Sequence, residues 1–317
     1  MLVTILTPSY NRALNLPKLF ESLKNQSCKN FEWIVVDDGS VDDTKTCIDG
    51  FIQEAALGGD SFPIVYEYQS NGGKHTALNR GISMAKGELL FIVDSDDWLS
   101  ENAVETVLEY ADKYEKIKES EKLCGFSFLR AFSDGKVNTG EFPENEKIDT
   151  YRQQRINNNL LGDKAEVFYT DIIRKYPFEV FDGERFMPED AVWMQMSGPY
   201  NMVHINKTIY YSDYLEGGLT KSGRSMKIYS PYGMMFRSAV YLKDKAVNAT
   251  VKVKMMILYI VYSGFAADLD RQNGVTPEII RQKRQRCAIK KGIMYYTLYL
   301  PASLLGVRWK KKYKNSK

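Results

Sequence analysis

Four short apolar runs constrain this chain most: Leu2–Leu6, Phe31–Val36, Ile64–Tyr68 and Leu89–Val93. Each is followed by a polar cluster and, in most cases, by residues at helical spacing. Leu16, Leu19, Phe20 and Leu23 form one such set, and Pro17 is tolerated in a first turn. Thr76–Ala85 reads as a second helix, and Ser100 as the cap of a third that runs to about Tyr114. Strands that are apolar almost throughout, alternating with helices, predict a parallel sheet covered on both faces. In such sheets ligands bind beyond the carboxyl ends of the strands.

The polar clusters sit at those ends. Thr7–Arg12 follows the first run, Asp37–Thr44 the second, Asn71–His75 the third and Asp94–Asp97 the fourth. The last is the most demanding electrostatically. An apolar strand ends in Asp94-Ser95-Asp96-Asp97, three carboxylates within four positions. Like charges that close repel unless solvent, a cation or hydrogen-bond donors offset them. A divalent metal with hard oxygen ligands would do so and would bring an anionic phosphate with it. A solvated polar loop is the plainer alternative.

Composition removes several classes. The 317 residues are 44% hydrophobic and 26% charged, as in a folded globular protein. Cys28, Cys47, Cys124 and Cys287 are far apart, which argues against a zinc ribbon or a disulfide framework. With only His75 and His204, a multi-histidine metal site is excluded. The first run is followed by no glycine before Arg12, so a G-x-G-x-x-G dinucleotide site is discounted. Met1 leads directly into strand-like sequence, so no signal peptide is expected.

Downstream, Cys124–Phe132, Val167–Tyr169, Met202–Ile205 and Ile209–Tyr214 read as short strands, and Glu189–Met196 as a helix. From Pro231 the chain reads as wholly helical. Val253–Ala267 and Ile293–Val307 are apolar over about fifteen residues each, short of the roughly twenty that a spanning helix needs, and Pro301 is expected to interrupt the second. Residues 281–317 hold 12 Lys and Arg and no acidic residue, which leaves the remaining chain with a balance of −9. A basic tail on an acidic body suits an anionic surface. A membrane leaflet, apolar faces that form a helical dimer or pack back on the preceding domain, and nucleic acid are the three readings of this tail. No recognition motif supports nucleic acid, and the membrane surface is preferred.

Taken in order, Thr7-Pro8-Ser9-Tyr10-Asn11-Arg12, Val35-Val36-Asp37-Asp38-Gly39-Ser40 with Asp42 and Thr44, and Val93-Asp94-Ser95-Asp96-Asp97 resemble the opening motifs of family 2 glycosyltransferases. The resemblance covers about residues 2–215 and implies an α/β fold of the GT-A type: Rossmann-like, with a mostly parallel central sheet flanked by helices and here an α-helical C-terminal extension. It implies a catalytic domain over residues 1–225, with a nucleotide-binding half at 1–115 and an acceptor-binding half at 116–225. Residues 226–317 would then be the basic helical region.

The resemblance also assigns roles. Pro8 and Tyr10 would pack around the uracil and ribose of a UDP-sugar, since an aromatic ring offers a base a stacking face. Asp38 would accept the uracil N3–H, and Asp37 would fix the Asp-Gly turn. Asn71, Gly72, Lys74 and Asn79 would line the nucleotide-sugar, with Lys74 or Arg80 standing in for the arginine the family carries where this chain has Leu78. Asp94, with Ser95 beside it, would contact the ribose, and Asp96 would bind Mn²⁺ or Mg²⁺. Glu189 would touch the acceptor or donor sugar, and Asp190 would be the general base. Lys221 and Arg224, in a glycine-rich loop, would close over the diphosphate. His204, flanked by Val203 and Ile205, reads as a strand histidine rather than a ligand.

The implied activity is metal-dependent, inverting transfer from a UDP-sugar to a hydroxyl of a saccharide acceptor, lipid-linked, in bacterial surface-polysaccharide synthesis. The implied location is cytoplasmic, peripheral at the inner face of the cell membrane. The alternative is a non-catalytic nucleotide-sugar-binding or scaffold protein of the same fold.

Overall fold

The computed structural model describes residues 1–57, 62–138, 140–160, 162–213 and 225–313. The chain divides into two compact units. One comprises Met1–Pro177 with Met196–Asp213, and the other Phe178–Gln195 with Tyr214–Lys317.

The first unit is built on a nine-stranded sheet: β1 (Val3–Ser9), β2 (Phe31–Asp37), β3 (Ile64–Tyr68), β4 (Leu89–Ile92), β5 (Trp98–Leu99), β6 (Leu123–Ala131), β7 (Lys147–Asp149), β8 (Lys164–Tyr169) and β9 (Asn201–Tyr211). Their spatial order is β3-β2-β1-β4-β8-β6-β9-β5, with β7 also on β9. The first four strands are parallel to one another, as their apolar runs predict. Every residue of β1, β2 and β4 is buried. The second half is mixed. β8 is antiparallel to β4 and to β6, whereas β9 runs parallel to β6.

Register places the polar clusters. Ser9 pairs with Asp37, Asp37 with Tyr68, and Leu6 with Ile92. The four parallel strands therefore release their polar segments along one edge. The helices Leu16–Lys24, Lys74–Met84 and Ala103–Glu115 flank the sheet and bury the expected faces, with Leu16, Leu19, Phe20 and Leu23 inward in the first.

Several local expectations are corrected. The helix at 103–115 has Asn102, not Ser100, in its cap position, and the Ser100 hydroxyl donates to Asn102 Oδ1 at 2.9 Å. Met202–Ile205 and the segment begun at Ile209 are not two strands but parts of one 11-residue strand, β9, which ends at Tyr211; Tyr214 lies outside the described residues. The polar break at Asn206-Lys207 is absorbed by a bulge, since Ser127 pairs with His204 and Leu129 with Thr208. His204 is fully buried within that strand.

The second unit contains the helices Asp190–Met196 (through Gln195), Pro231–Lys243, Ala249–Gln272, Pro277–Arg286 and Ile293–Tyr313. Two of them exceed the lengths read from the apolar runs. Ala249–Gln272 has 24 residues because Asn248 caps it at one end and Asp268–Gln272 extends it at the other. It is long and apolar enough to cross a membrane by length and composition alone. Within the unit it behaves as a core helix: Met255, Met256, Tyr259, Ile260 and Phe265 are buried, and buried Asp270 accepts from the Tyr232 hydroxyl at 2.7 Å.

Ile293–Tyr313 continues through Pro301 rather than ending there. A proline removes one intrahelical hydrogen bond and crowds the preceding turn. The helix is anchored on both sides of it. Tyr295 is buried before it, and after it Trp309 meets Tyr262 edge-to-face while Lys310 Nζ lies 2.6 Å from Asp268.

Candidate active site

At the strand-end edge, the first two polar segments are zipped together. Asn11, in the left-handed region at φ 53°, accepts from Val41 N through Oδ1 at 2.8 Å, and its own N–H donates to Ser40 Oγ at 2.8 Å. Arg12 N donates to Thr44 Oγ1, and Ala13 N to Asp42 Oδ2. Asp37 fixes its turn by accepting from Ser40 N and from the Tyr66 hydroxyl, both at 2.8 Å. Pro8 is buried inside β1, whereas Tyr10 stands 46% exposed just beyond it.

Asp38 is held by the third segment. Its Oδ1 accepts from Gly72 N and Gln69 Nε2, each at 2.8 Å, and its Oδ2 from Gly73 N at 2.7 Å. Asn71 Nδ2 returns a bond to the Asp38 carbonyl at 2.8 Å. Gly39 is required here: at φ 82° a Cβ would lie 2.7 Å from Asn71 N. A carboxylate offers about four lone-pair sites, so three N–H donors leave about one for a further partner.

The fourth segment carries its negative charge against three cations. Lys74, from the first turn of its helix, reaches Asp94 Oδ1 at 2.6 Å. Arg130, at the end of β6, lies 3.5 Å from Asp97 and 3.9 Å from Asp94. Its guanidinium stacks 3.9 Å over the ring of Tyr210, its register partner on β9. The Tyr210 hydroxyl donates to Asp97 Oδ2 at 2.7 Å and accepts from Asp94 N at 3.0 Å. Arg12 is the nearest cation to Asp96, at 3.8 Å, and Ser95 is buried between the acids.

These environments separate the carboxylates. Burial and the neighbouring Asp94 charge push Asp97 up to about 7, against the pull of Arg130. Burial acts the same way on Asp94, but Lys74 and Arg130 outweigh it and hold that group below the usual carboxylate range.

Asp96 is the open member of the set, since its ion pair with Arg12 is longer than a hydrogen bond. Among the described residues no group of three or more His, Cys, Asp or Glu side chains could hold a metal ion by itself. One accessible carboxylate fits Mg²⁺ or Mn²⁺ held jointly by a substrate diphosphate and water, and does not fit an all-protein cage.

Glu189 and Asp190 belong to the second unit. Asp190 opens its helix and is gripped by Arg237, with Nε 2.7 Å from Oδ1 and a terminal nitrogen 2.5 Å from Oδ2. The Tyr241 hydroxyl adds a third donor at 2.7 Å. Burial would raise Asp190, yet Arg237 and Tyr241 prevail and its carboxyl is held below its ordinary value. Glu189 is half-buried just before it, and its carbonyl accepts from Val192 N at 2.9 Å.

Asn79 is half-buried in the helix Lys74–Met84, and Leu78 beside it is fully buried. Arg80 is tied to Glu67 through Nε at 2.9 Å, so of these two cations it is Lys74 that reaches Asp94. Lys221 and Arg224 lie outside the described residues. Sequence reading missed Arg130, Tyr210, Arg237 and Tyr241. Arg130 had one legible signal, a lone cation closing the apolar run Phe126–Leu129.

Solved structures share this architecture. TarS 1–349 from S. aureus, in complex with UDP-GlcNAc, aligns with a TM-score of 0.60 at 16% identity, covering 100% of this chain and 93% of that one. The fold is that of a GT-A glycosyltransferase. Residues 4–118 match glycosyl transferase family 2. Glycosyltransferase GlyG of Streptococcus pneumoniae is 28% identical over 218 residues, 66% of this chain and 69% of GlyG. A Campylobacter jejuni relative named GalNAc(5)-diNAcBac-PP-undecaprenol beta-1,3-glucosyltransferase is 26% identical over 214 residues, 62% of this chain and 68% of its own.

Proposed function

We propose that this glycosyltransferase moves a sugar from a UDP-sugar to a hydroxyl of a lipid-linked saccharide, with inversion, in assembly of a bacterial cell-surface polysaccharide. The observation that carries the donor half is the meeting, on one sheet edge, of the Asp38 cradle, the Lys74–Asp94 pair and the open carboxylate of Asp96. Tyr10 offers an exposed ring to a base. Asp38, oriented by Gly72 and Gly73, has an acceptor site for the uracil N3–H. Asn71 is bonded to the same segment, Asn79 and Asp94 would line the nucleotide-sugar with Asp94 at the ribose, and Lys74 is the cation nearest to Asp94.

Asp96 would hold Mn²⁺ or Mg²⁺ with the diphosphate, and the bound cation would supply stabilisation of the charge on departing UDP. Asp190 takes the proton of the acceptor hydroxyl as that oxygen attacks the anomeric carbon. A single displacement needs one base and no nucleophilic carboxylate. Glu189, adjacent to it, contacts the sugar. The lipid-linked acceptor draws support from the Campylobacter relative, whose name specifies an undecaprenyl-diphosphate-linked saccharide.

A second reading, binding without turnover, draws on the three donors already engaged by Asp190. A UDP-release screen across UDP-sugars, with and without Mn²⁺, separates the two. One donor hydrolysed or transferred only with the cation supports transfer. UDP bound with no release from any donor, even with saccharide acceptors present, supports binding alone. Asp96→Ala should cut turnover by at least 100-fold and abolish any tightening of UDP binding by Mn²⁺.

A further inference from the structure

The helix Ile293–Tyr313 has two apolar faces, and among the described residues only one packs against the protein. Tyr295, Ala302 and Gly306 are buried, and Gly306 faces Val261, where a Cβ would make ordinary van der Waals contact at 3.7 Å. At 100° per residue, Ile293, Tyr296, Leu300, Leu304 and Val307 fall within roughly 80° of arc on the opposite side. Each of the five is between 54% and 84% exposed. Tyr299, also exposed, stands at the margin. A soluble helix ordinarily turns charge outward opposite its buried stripe, so a second apolar stripe on the outer face calls for a partner.

The charge around it identifies that partner. Arg308, Lys311 and Lys312 are exposed on the last turns of the same helix, and Lys290 and Lys291 precede it. The preceding helix Pro277–Arg286 buries no residue and carries Arg281, Lys283, Arg284 and Arg286. Across residues 281–317 there is no Asp or Glu. A second copy of so basic a segment would meet it with like charge, which is costly. Five side chains also fall far short of the twenty to thirty per partner of a stable protein interface. An anionic leaflet meets both requirements, an apolar depth for a narrow stripe and negative headgroups for the cations beside it.

We propose that the outer face of Ile293–Tyr313 lies in the plane of an anionic lipid leaflet, with Ile293, Tyr296, Leu300, Leu304 and Val307 inserted and the flanking cations on the headgroups. The protein is thereby peripheral, and no helix need cross the bilayer. This inference stands apart from the sugar-transfer reading, because its readout is lipid binding rather than turnover.

The test is co-flotation of the full chain with vesicles of neutral phosphatidylcholine alone or with about one-third phosphatidylglycerol. Binding to the anionic vesicles, at least 10-fold weaker on the neutral ones and weakened by 0.5 M NaCl, is expected. Leu300→Glu with Leu304→Glu should abolish it while leaving the thermal midpoint and UDP affinity in place. Arg308→Glu with Lys311→Glu and Lys312→Glu keeps the apolar stripe and should weaken binding on the order of 100-fold, at about 1 kcal/mol for each basic residue near the surface. Equal affinity for neutral and anionic vesicles, or full binding by either variant, overturns the proposal. So does a lipid-free dimer in sedimentation that Leu304→Glu dissociates, since the face then belongs to a second copy.

Discussion

Arg237 grips Asp190 side-on, with Nε 2.7 Å from one carboxylate oxygen and a terminal nitrogen 2.5 Å from the other. The Tyr241 hydroxyl completes the set at 2.7 Å. Two-point contact of this kind both orients a carboxylate and lowers its proton affinity. For a general base the two effects oppose each other. Orientation favours transfer, whereas a depressed pKa weakens the base but keeps it ionised to lower pH.

That opposition sets the first prediction. In Arg237→Gln the pKa of Asp190 should rise, because the cation that lowers it is gone while burial still raises it. The acid limb of the kcat/KM profile should therefore move to higher pH, with kcat down on the order of 10-fold from lost orientation. Asp190→Asn should remove turnover, a loss of at least 100-fold. An acid limb that stays in place in Arg237→Gln would assign it to another group.

The second prediction concerns Asp97, which burial and Asp94 push up to about 7. Its unfolded value is about 3.9. A carboxyl raised on folding binds its proton more tightly in the native state. Its favourable contribution is present below pH about 3.9 and is lost as pH rises through about 7. In Asp97→Asn that loss should vanish. Denaturant midpoints of the two proteins should diverge between pH 5 and pH 8 in favour of the variant at pH 8, by a few kcal/mol at about 1.4 kcal/mol per unit. Parallel pH dependence in both would show that Asp97 does not titrate in this range.

How much of this was legible beforehand differs between the halves of the chain. The strands β1, β2 and β4 could be read because they are buried on both faces and so are largely apolar, and the helix Leu16–Lys24 because its buried positions recur at helical spacing. Their polar ends announced the edge at which Asp38 and Asp94 meet. The partners of those acids were not legible. Arg130 and Tyr210 are 80 residues apart and become neighbours only through the pairing of β6 with β9, which no local pattern encodes. Arg237 and Tyr241 share one face of a helix, yet nothing in their spacing points to Asp190. The lengths of Ala249–Gln272 and Ile293–Tyr313 were underread because charged ends and Pro301 hide helical continuation.

Gly39 supplies the third prediction. At φ 82°, with Asn71 N 2.7 Å from where a Cβ would stand, Gly39→Ala incurs both backbone strain and a clash with main chain. The Asp38 cradle lies on either side of that contact. Loss of stability of about 1–3 kcal/mol is expected, with UDP affinity falling more than the stability loss alone explains, because Gly72 and Gly73 can no longer reach both oxygens of Asp38. Calorimetric UDP titration of folded Gly39→Ala checks this. Unchanged affinity would mean that the cradle does not bear on the nucleotide.

The last prediction joins Arg130 to pH. Its guanidinium is the largely buried cation between Asp94 and Asp97, stacked on Tyr210. Removing one partner of a buried ion pair costs roughly 3–5 kcal/mol when the other is left charged. Asp97 has an escape, since without the cation its pKa, already raised, climbs further and it takes up a proton. Arg130→Met should therefore be strongly destabilised at pH 8 and distinctly less so at pH 5. Arg130→Lys keeps the charge but loses the planar stack on Tyr210, and should fall between the two at pH 8. Urea midpoints at both pH values for the three proteins supply the comparison. If Arg130→Met loses the same stability at pH 5 as at pH 8, the guanidinium matters for packing and not for charge, and the acids after β4 must be balanced by Lys74 and Arg12 alone.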